Sequence, residues 1–160
     1  MSISTRERIV KKPISNHHVL NEAYDYEHQQ VSFVRGMRVE LGTASMLLIS
    51  GTSAVDENGR SIHVGDVYKQ TMRTFTNIKA LLESEGADFH DIVRTTCYLA
   101  DMRNYEVFNE ARNDFYAAEG LDPYPASTCI GALICRPDLA VEIEAIAILP
   151  AEGHSPERED

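Results

Sequence analysis

The segment Val141–Ile148, VEIEAIAI, alternates in a way that predicts a strand and assigns its two faces. Val141, Ile143, Ala145 and Ala147 share one face, which is apolar and needs a covering layer. Glu142, Glu144, Ile146 and Ile148 share the other, which joins two carboxylates to two isoleucines. Whatever fold this chain adopts must bury the first face and find a use for the second.

The remaining elements follow from spacing and turn chemistry. Residues 32–41, SFVRGMRVEL, predict a strand with Phe33 and Val39 among its apolar positions, broken by Gly36, and Gly42 marks the turn that follows. Residues 44–50, ASMLLIS, are a second strand running into Gly51-Thr52-Ser53, where small residues allow a backbone to approach a ligand. Asn58-Gly59 is a turn. Val67, Thr71, Phe75, Ile78 and Leu82 recur at helical spacing, with Asp66 as N-cap and Gly86 as stop, which predicts a helix over 67–84. The β-branched run Ile92, Val93, Thr95, Thr96 predicts a strand over 91–99. A second helix carries Phe108, Ala111, Phe115 and Ala118 on one face, with Asn104 as the candidate cap and Gly120 at its end. Two strands, about 126–134 and 140–148, close the chain.

The order is β-β-α-β-α-β-β, an α+β arrangement satisfied by one mixed sheet with two helices on one face. The domain is expected over residues 31–150. Residues 1–30 are polar and are expected to form an N-terminal arm, and 151–160 a charged tail. The sheet face opposite the helices then has no cover, although its strands are rich in apolar residues. Such a face implies self-association.

Charge and composition narrow the function. Fifteen basic against 25 acidic residues give a net charge of −10, which disfavours phosphate backbones and makes a nucleic-acid partner unlikely. No run approaches the length of a membrane-spanning helix, and the N-terminus has no secretory pattern. Three cysteines (Cys97, Cys129, Cys135) without such a signal predict reduced thiols and a cytoplasmic protein. No metal-binding or phosphate-loop pattern is present, so neither a metal nor a cofactor is expected.

Glu144 is the leading catalytic candidate. Flanked by Ile143 and Ala145, with Ile146 next on its own face, its carboxyl is expected to be partly desolvated and suited to proton transfer. The alternative is that Glu142 and Glu144 both face solvent or pair with arginines across an interface. Cys129 lies in a strand entered from the proline-containing loop, and for it, as for Cys97 and Cys135, the usual reading of a free cysteine is a small buried hydrophobe. Arg35, Arg38 and Arg136 flank apolar segments and are candidates to clamp a carboxylate, Arg38 foremost because it lies in the first strand.

Several stretches together carry a resemblance. They are ISGTSAVDENGR, GDVYKQTMRTFTNIKALLESEGADFHDIVRTTCYLADMRNYEVFNEARNDFY, PASTC and VEIEAIAI, in this order over about residues 31–150. The chain resembles the RidA/YjgF family, also described as endoribonuclease L-PSP-like. The resemblance implies a chorismate-mutase-like fold and a homotrimer with one ligand cleft between each pair of subunits. It implies hydrolysis of reactive enamines and imines, the substrate carboxylate being held by an arginine in a Pro-Ala-Arg-Ser motif. Here that motif reads Pro125-Ala126-Ser127-Thr128, so Ser127 stands at the arginine position. Cys129, Glu144 and Asn109 match cleft residues of the family, and Ser50-Gly51 matches its ligand-approaching turn, with Thr52 beside it. Residues 33–38, with 50–53 and 134–139, look more like the C-terminal half of chorismatases, whose cleft also draws on an N-terminal half without counterpart in these 160 residues.

The expectation is therefore a RidA-like homotrimer that takes a small carboxylated or enamine/imine metabolite between subunits. Glu144 and Cys129 would be the catalytic pair, and Arg35, Arg38, Gly51, Thr52, Asn109 and Ser127 would bind substrate. An enzyme of this kind would hydrolyse a C–N bond, or act as a chorismatase-related lyase or hydrolase. A non-catalytic metabolite-binding trimer is the alternative, and an endoribonuclease is disfavoured by the charge.

Overall fold

The computed structural model describes residues 8–21 and 31–151. It contains β1 (Lys11–Ile14), β2 (Gly36–Glu40), β3 (Ala44–Ser53), α1 (Val67–Glu83), β4 (Ile92–Leu99), α2 (Tyr105–Glu119), β5 (Ala126–Gly131) and β6 (Val141–Pro150). The six strands form one sheet in the order β1-β2-β3-β6-β4-β5. Every neighbouring pair is antiparallel except β4–β5, which is parallel. The last strand therefore lies inside the sheet, bonded to β3 on one side and β4 on the other.

The alternation on β6 holds residue by residue. Val141, Ile143, Ala145 and Ala147 are buried, and join Leu47 and Ile49 of β3 and Cys97 and Leu99 of β4 beneath the helices. α1 contributes Phe75, Ile78, Leu81 and Leu82 to the same core, and α2 contributes Phe108 and Phe115. Phe75 stacks on Phe115 at 5.1 Å between ring centroids, and Phe89 packs on Phe115 at 4.9 Å. These contacts fix how α2 lies against the sheet.

Both helices end as their sequences direct. The Asp66 side chain accepts a hydrogen bond from the Lys69 N–H at 3.0 Å. Gly120 closes α2 at φ 68°, a left-handed conformation suited to glycine. Asn104 makes no side-chain cap. The chain instead turns into α2 through a short 3-10 turn, Met102–Asn104, capped by Asp101.

The N-terminal boundary differs from expectation. Lys11–Ile14, assigned from sequence to the N-terminal arm, pairs with β2 as an edge strand, and both Ile14 and Leu20 are fully buried. Asn16 Nδ2 also donates to the Ala80 carbonyl of α1 at 2.9 Å. Hydrophobic anchors at 14 and 20 tie down a segment whose charged and polar neighbours stay outside. The first expected strand is also shorter, starting at Gly36, and the strand expected over 126–134 stops at Gly131. Residues 1–7, 22–30 and 152–160, the rest of the expected arm and almost all of the tail, lie outside the described residues.

Among the described residues no helix lies on the other sheet face. Met37 and Val39 (β2), Met46 and Leu48 (β3), and Ile146 and Ile148 (β6) line up across three strands by register. Leu48 and Ile148 keep 39% and 41% of their surface exposed. At the other end of the same face lie Glu142 and Glu144.

If residues 11–20 belong to the folded unit, Ile14→Ala should lower the unfolding free energy by about 3 kcal/mol in urea titration. A detached arm would show no change.

Candidate functional site

The β3–β6 ladder breaks at one place. Ile49 pairs with Ala145 and Thr52 with Ile143, so Ser50 and Gly51 together face the single residue Glu144. This is a β-bulge, which bends a strand and leaves its extra residue out of the ladder. A Cβ at Gly51 would meet the Glu142 carboxylate, so any larger residue here has to displace that side chain. The Ser50 N–H donates to the Arg35 carbonyl at 3.0 Å and its hydroxyl to the Val34 carbonyl at 2.7 Å, docking residues 34–35 onto the bulge. Thr52 is buried, and its hydroxyl donates to the Ser50 carbonyl at 2.8 Å. Beyond it, Asn77 of α1 donates to the Ser53 and Val55 carbonyls, each at 3.0 Å.

Across the bulge, β4 places Thr96 opposite Glu144 and Tyr98 opposite Glu142. Two carboxylates and a phenol thus crowd one end of the open face. Burial, with the charge of Glu144 added, pushes the Glu142 carboxyl above the ordinary range, and the Ser53 hydroxyl partly opposes this. Burial and then the Glu144 charge push the Tyr98 phenol up as well. In the single chain the half-buried carboxylate is Glu142, and Glu144 is exposed. Glu142 lies over Gly51, while Glu144 is exposed in the single chain because only the bulge and Thr96 flank it.

A second polar group sits at the free edge of the sheet, on the helix side. Ser127 and Cys129 of β5 pair with Thr95 and Cys97 of β4. The Ser127 hydroxyl lies 3.0 Å from Thr95 Oγ1 and 3.9 Å from Cys97 Sγ. Asn109 and Arg112 of α2 lean over it. Arg112 donates through Nη2 to Asn109 Oδ1, approaches Ser127 Oγ with Nη1 at 3.4 Å, and stacks over the Phe108 ring at 5.2 Å. Burial raises both the Cys97 and Cys129 thiols, so neither is a thiolate nucleophile at neutral pH. Tyr116, one further turn along α2, has a buried phenol pushed up to about 12 by burial.

The sequence candidates therefore fall into two groups. Glu144 meets Gly51 on the open face, with Thr52 adjacent but turned inward. Asn109, Ser127 and Cys129 gather at the β5 edge on the opposite face. Arg35 and Arg38 join neither group. Arg35 is buried and donates to the carbonyl and side-chain oxygens of Asn21, each at 2.8 Å. Arg38 is 3% exposed and binds Glu40 at 2.7 Å and Ser45 at 2.8 Å, with Glu85 3.6 Å away. Its odd-even position in β2 aims it under the helices, so its charge is spent on the fold. Arg136 donates to the Gly59 carbonyl at 2.7 Å. Sequence reasoning missed Arg112; its one signal was the three-residue step from Asn109, which puts both on one helical stripe.

Among the described residues no group of His, Cys, Asp and Glu is placed to hold a metal ion. Nor is any described helix long and apolar enough to cross a membrane.

Comparison with known proteins agrees with this fold. Residues 28–149 match the model of the family described as Endoribonuclease L-PSP. The chain is 32% identical over 116 residues to a 2-iminobutanoate/2-iminopropanoate deaminase of Salmonella typhimurium, covering 72% of this chain and 86% of that one. The structure of the Escherichia coli YjgF gene product superposes with a TM-score of 0.70 at 28% identity, covering 86% of this chain and 98% of that one. Escherichia coli TdcF, solved with bound serine, superposes with a TM-score of 0.70 at 26% identity and the same coverage.

Two measurements probe the bulge. Gly51→Ala should cost about 1–3 kcal/mol by overpacking against Glu142, and less in a Glu142→Ala background. An acid whose folded pKa is raised penalises the native state once it ionises. Glu142→Gln should therefore raise thermal stability at pH 7, with the gain fading as pH falls through the carboxylate range.

Proposed function

This chain belongs to the endoribonuclease L-PSP family, the RidA/YjgF proteins, and from that premise we propose that it assembles as a homotrimer whose inter-subunit clefts bind and hydrolyse a small carboxylated imine. The observation that carries the proposal is the Ser50–Gly51 bulge opposite Glu144, at the end of an apolar sheet face that no helix among the described residues covers. Pairing these faces around a three-fold axis buries Leu48 and Ile148. It also brings a neighbour's surface against Glu144, which supplies the seclusion that the single chain does not.

In that cleft Glu144 holds a water molecule against the imine carbon. Water adds to the carbon while the carboxylate takes its proton, and the proton passes to the nitrogen. The C–N bond then breaks, so that imine and water become a carbonyl compound and ammonia. Backbone N–H groups near Gly51 and Thr52 of one subunit, and that of Cys129 at the β5 edge of its neighbour, are the donors for developing negative charge. The cysteine thiol has no nucleophilic part, consistent with the direction in which burial shifts it. Binding without turnover is the competing reading, and it is favoured by Ser127 at the position of the family's arginine.

The test generates 2-iminobutanoate in situ and follows ammonia release. Glu144→Gln should lower turnover about 100-fold with thermal stability unchanged. Leu48→Lys with Ile148→Lys should convert a trimer to monomers in sedimentation and abolish turnover. A monomeric wild type, or saturable binding with no product, would sink the hydrolytic reading.

A further inference from the structure

Arg112 is a half-buried guanidinium in an acidic protein, and among the described residues no carboxylate lies within ion-pair distance of it. Its recorded partners are neutral: Asn109 Oδ1, Ser127 Oγ and the Phe108 ring. A guanidinium offers five N–H donors in a rigid fork, and these two hydrogen bonds use only two of them. Taking a cation partly out of water without a counter-charge is unfavourable, so such a group is a natural seat for an incoming anion. Around it stand further polar groups with capacity to spare. The Tyr116 hydroxyl is buried without a hydrogen-bond partner, and the Ser127 and Thr95 hydroxyls line the same edge.

We infer that Arg112 grips the ligand's carboxylate in this chain, a role that rests on the proposed reading of the site, in which the β5 edge of one subunit meets the Glu144 face of its neighbour. The stripe Asn109, Arg112, Tyr116 runs along α2 beside the core stripe Phe108, Ala111, Phe115, and the aromatic packing of Phe115 holds it over β5. Ser127 is small, and its size leaves the space above β5 open to the helix-borne side chain. A long cation on β5 at position 127 would compete for that space. The two residues are therefore complementary: the strand gives up the cation and the helix supplies it. Arg94, the other arginine at this edge, bonds Thr128 Oγ1 at 3.1 Å from the opposite sheet face and serves as the control.

The experiment is calorimetric titration of the intact protein with 2-oxobutanoate and with its uncharged amide. Arg112→Met, which keeps an unbranched chain over Phe108, should weaken the acid about 30-fold and the amide less than about threefold. Adding Ser127→Arg to Arg112→Met should restore acid binding. Arg112→Lys, the folding-safe variant, keeps the charge but not the fork and should fall between. Acid binding untouched by Arg112→Met, acid and amide weakened equally, loss through Arg94→Gln instead, or no acid binding by wild type would each overturn the assignment. Arg112-dependent binding in a protein that releases no ammonia would sustain the clamp while sinking the deaminase reading.

Discussion

The whole sheet hangs on β6. β1, β2 and β3 form one antiparallel run, β4 and β5 another, and only the final strand bonds to both. It can do so because alternate residues satisfy two surroundings at once. Four buried aliphatic side chains face the helices, and two carboxylates followed by two isoleucines face away. The seam between the halves is also where the ladder is irregular. The bulge at the join stands opposite Glu144 in the ladder and leaves Glu142 lying over a glycine, so architecture and the two carboxylates share one position.

Much of this was legible because period-two and helical spacing report faces directly. The VEIEAIAI alternation, the Asp66 cap and the Phe75–Ile78–Leu82 stripe all appear in the structure as their spacing implied. β1 escaped detection because four residues, KKPI, with two charges and a proline, carry no alternation. Its evidence is the buried Ile14 and Leu20, whose burial only tertiary structure reveals.

The site was harder to read, for a physical reason. An arginine's identity says nothing about whether its charge is already matched. Arg38 looked like a ligand clamp in a strand, but its register points it at Glu40, Ser45 and Glu85. Arg112, unremarkable among the polar residues of α2, is the one brought to the β5 edge beside Ser127. Likewise, Glu142 and Glu144 are equivalent by pattern, and only the bulge separates a half-buried carboxyl from an exposed one.

Pro13 sits at the rim of the sheet, opposite Met37 of β2. A proline has no amide hydrogen to offer a further strand, and Lys11 and Lys12 beside it repel positively charged newcomers. That border is thus closed to edgewise growth, including the open-ended stacking that leads to fibres. The assembly proposed above, through the broad apolar face, would meet no competition from this border and would stop at a limited number of copies.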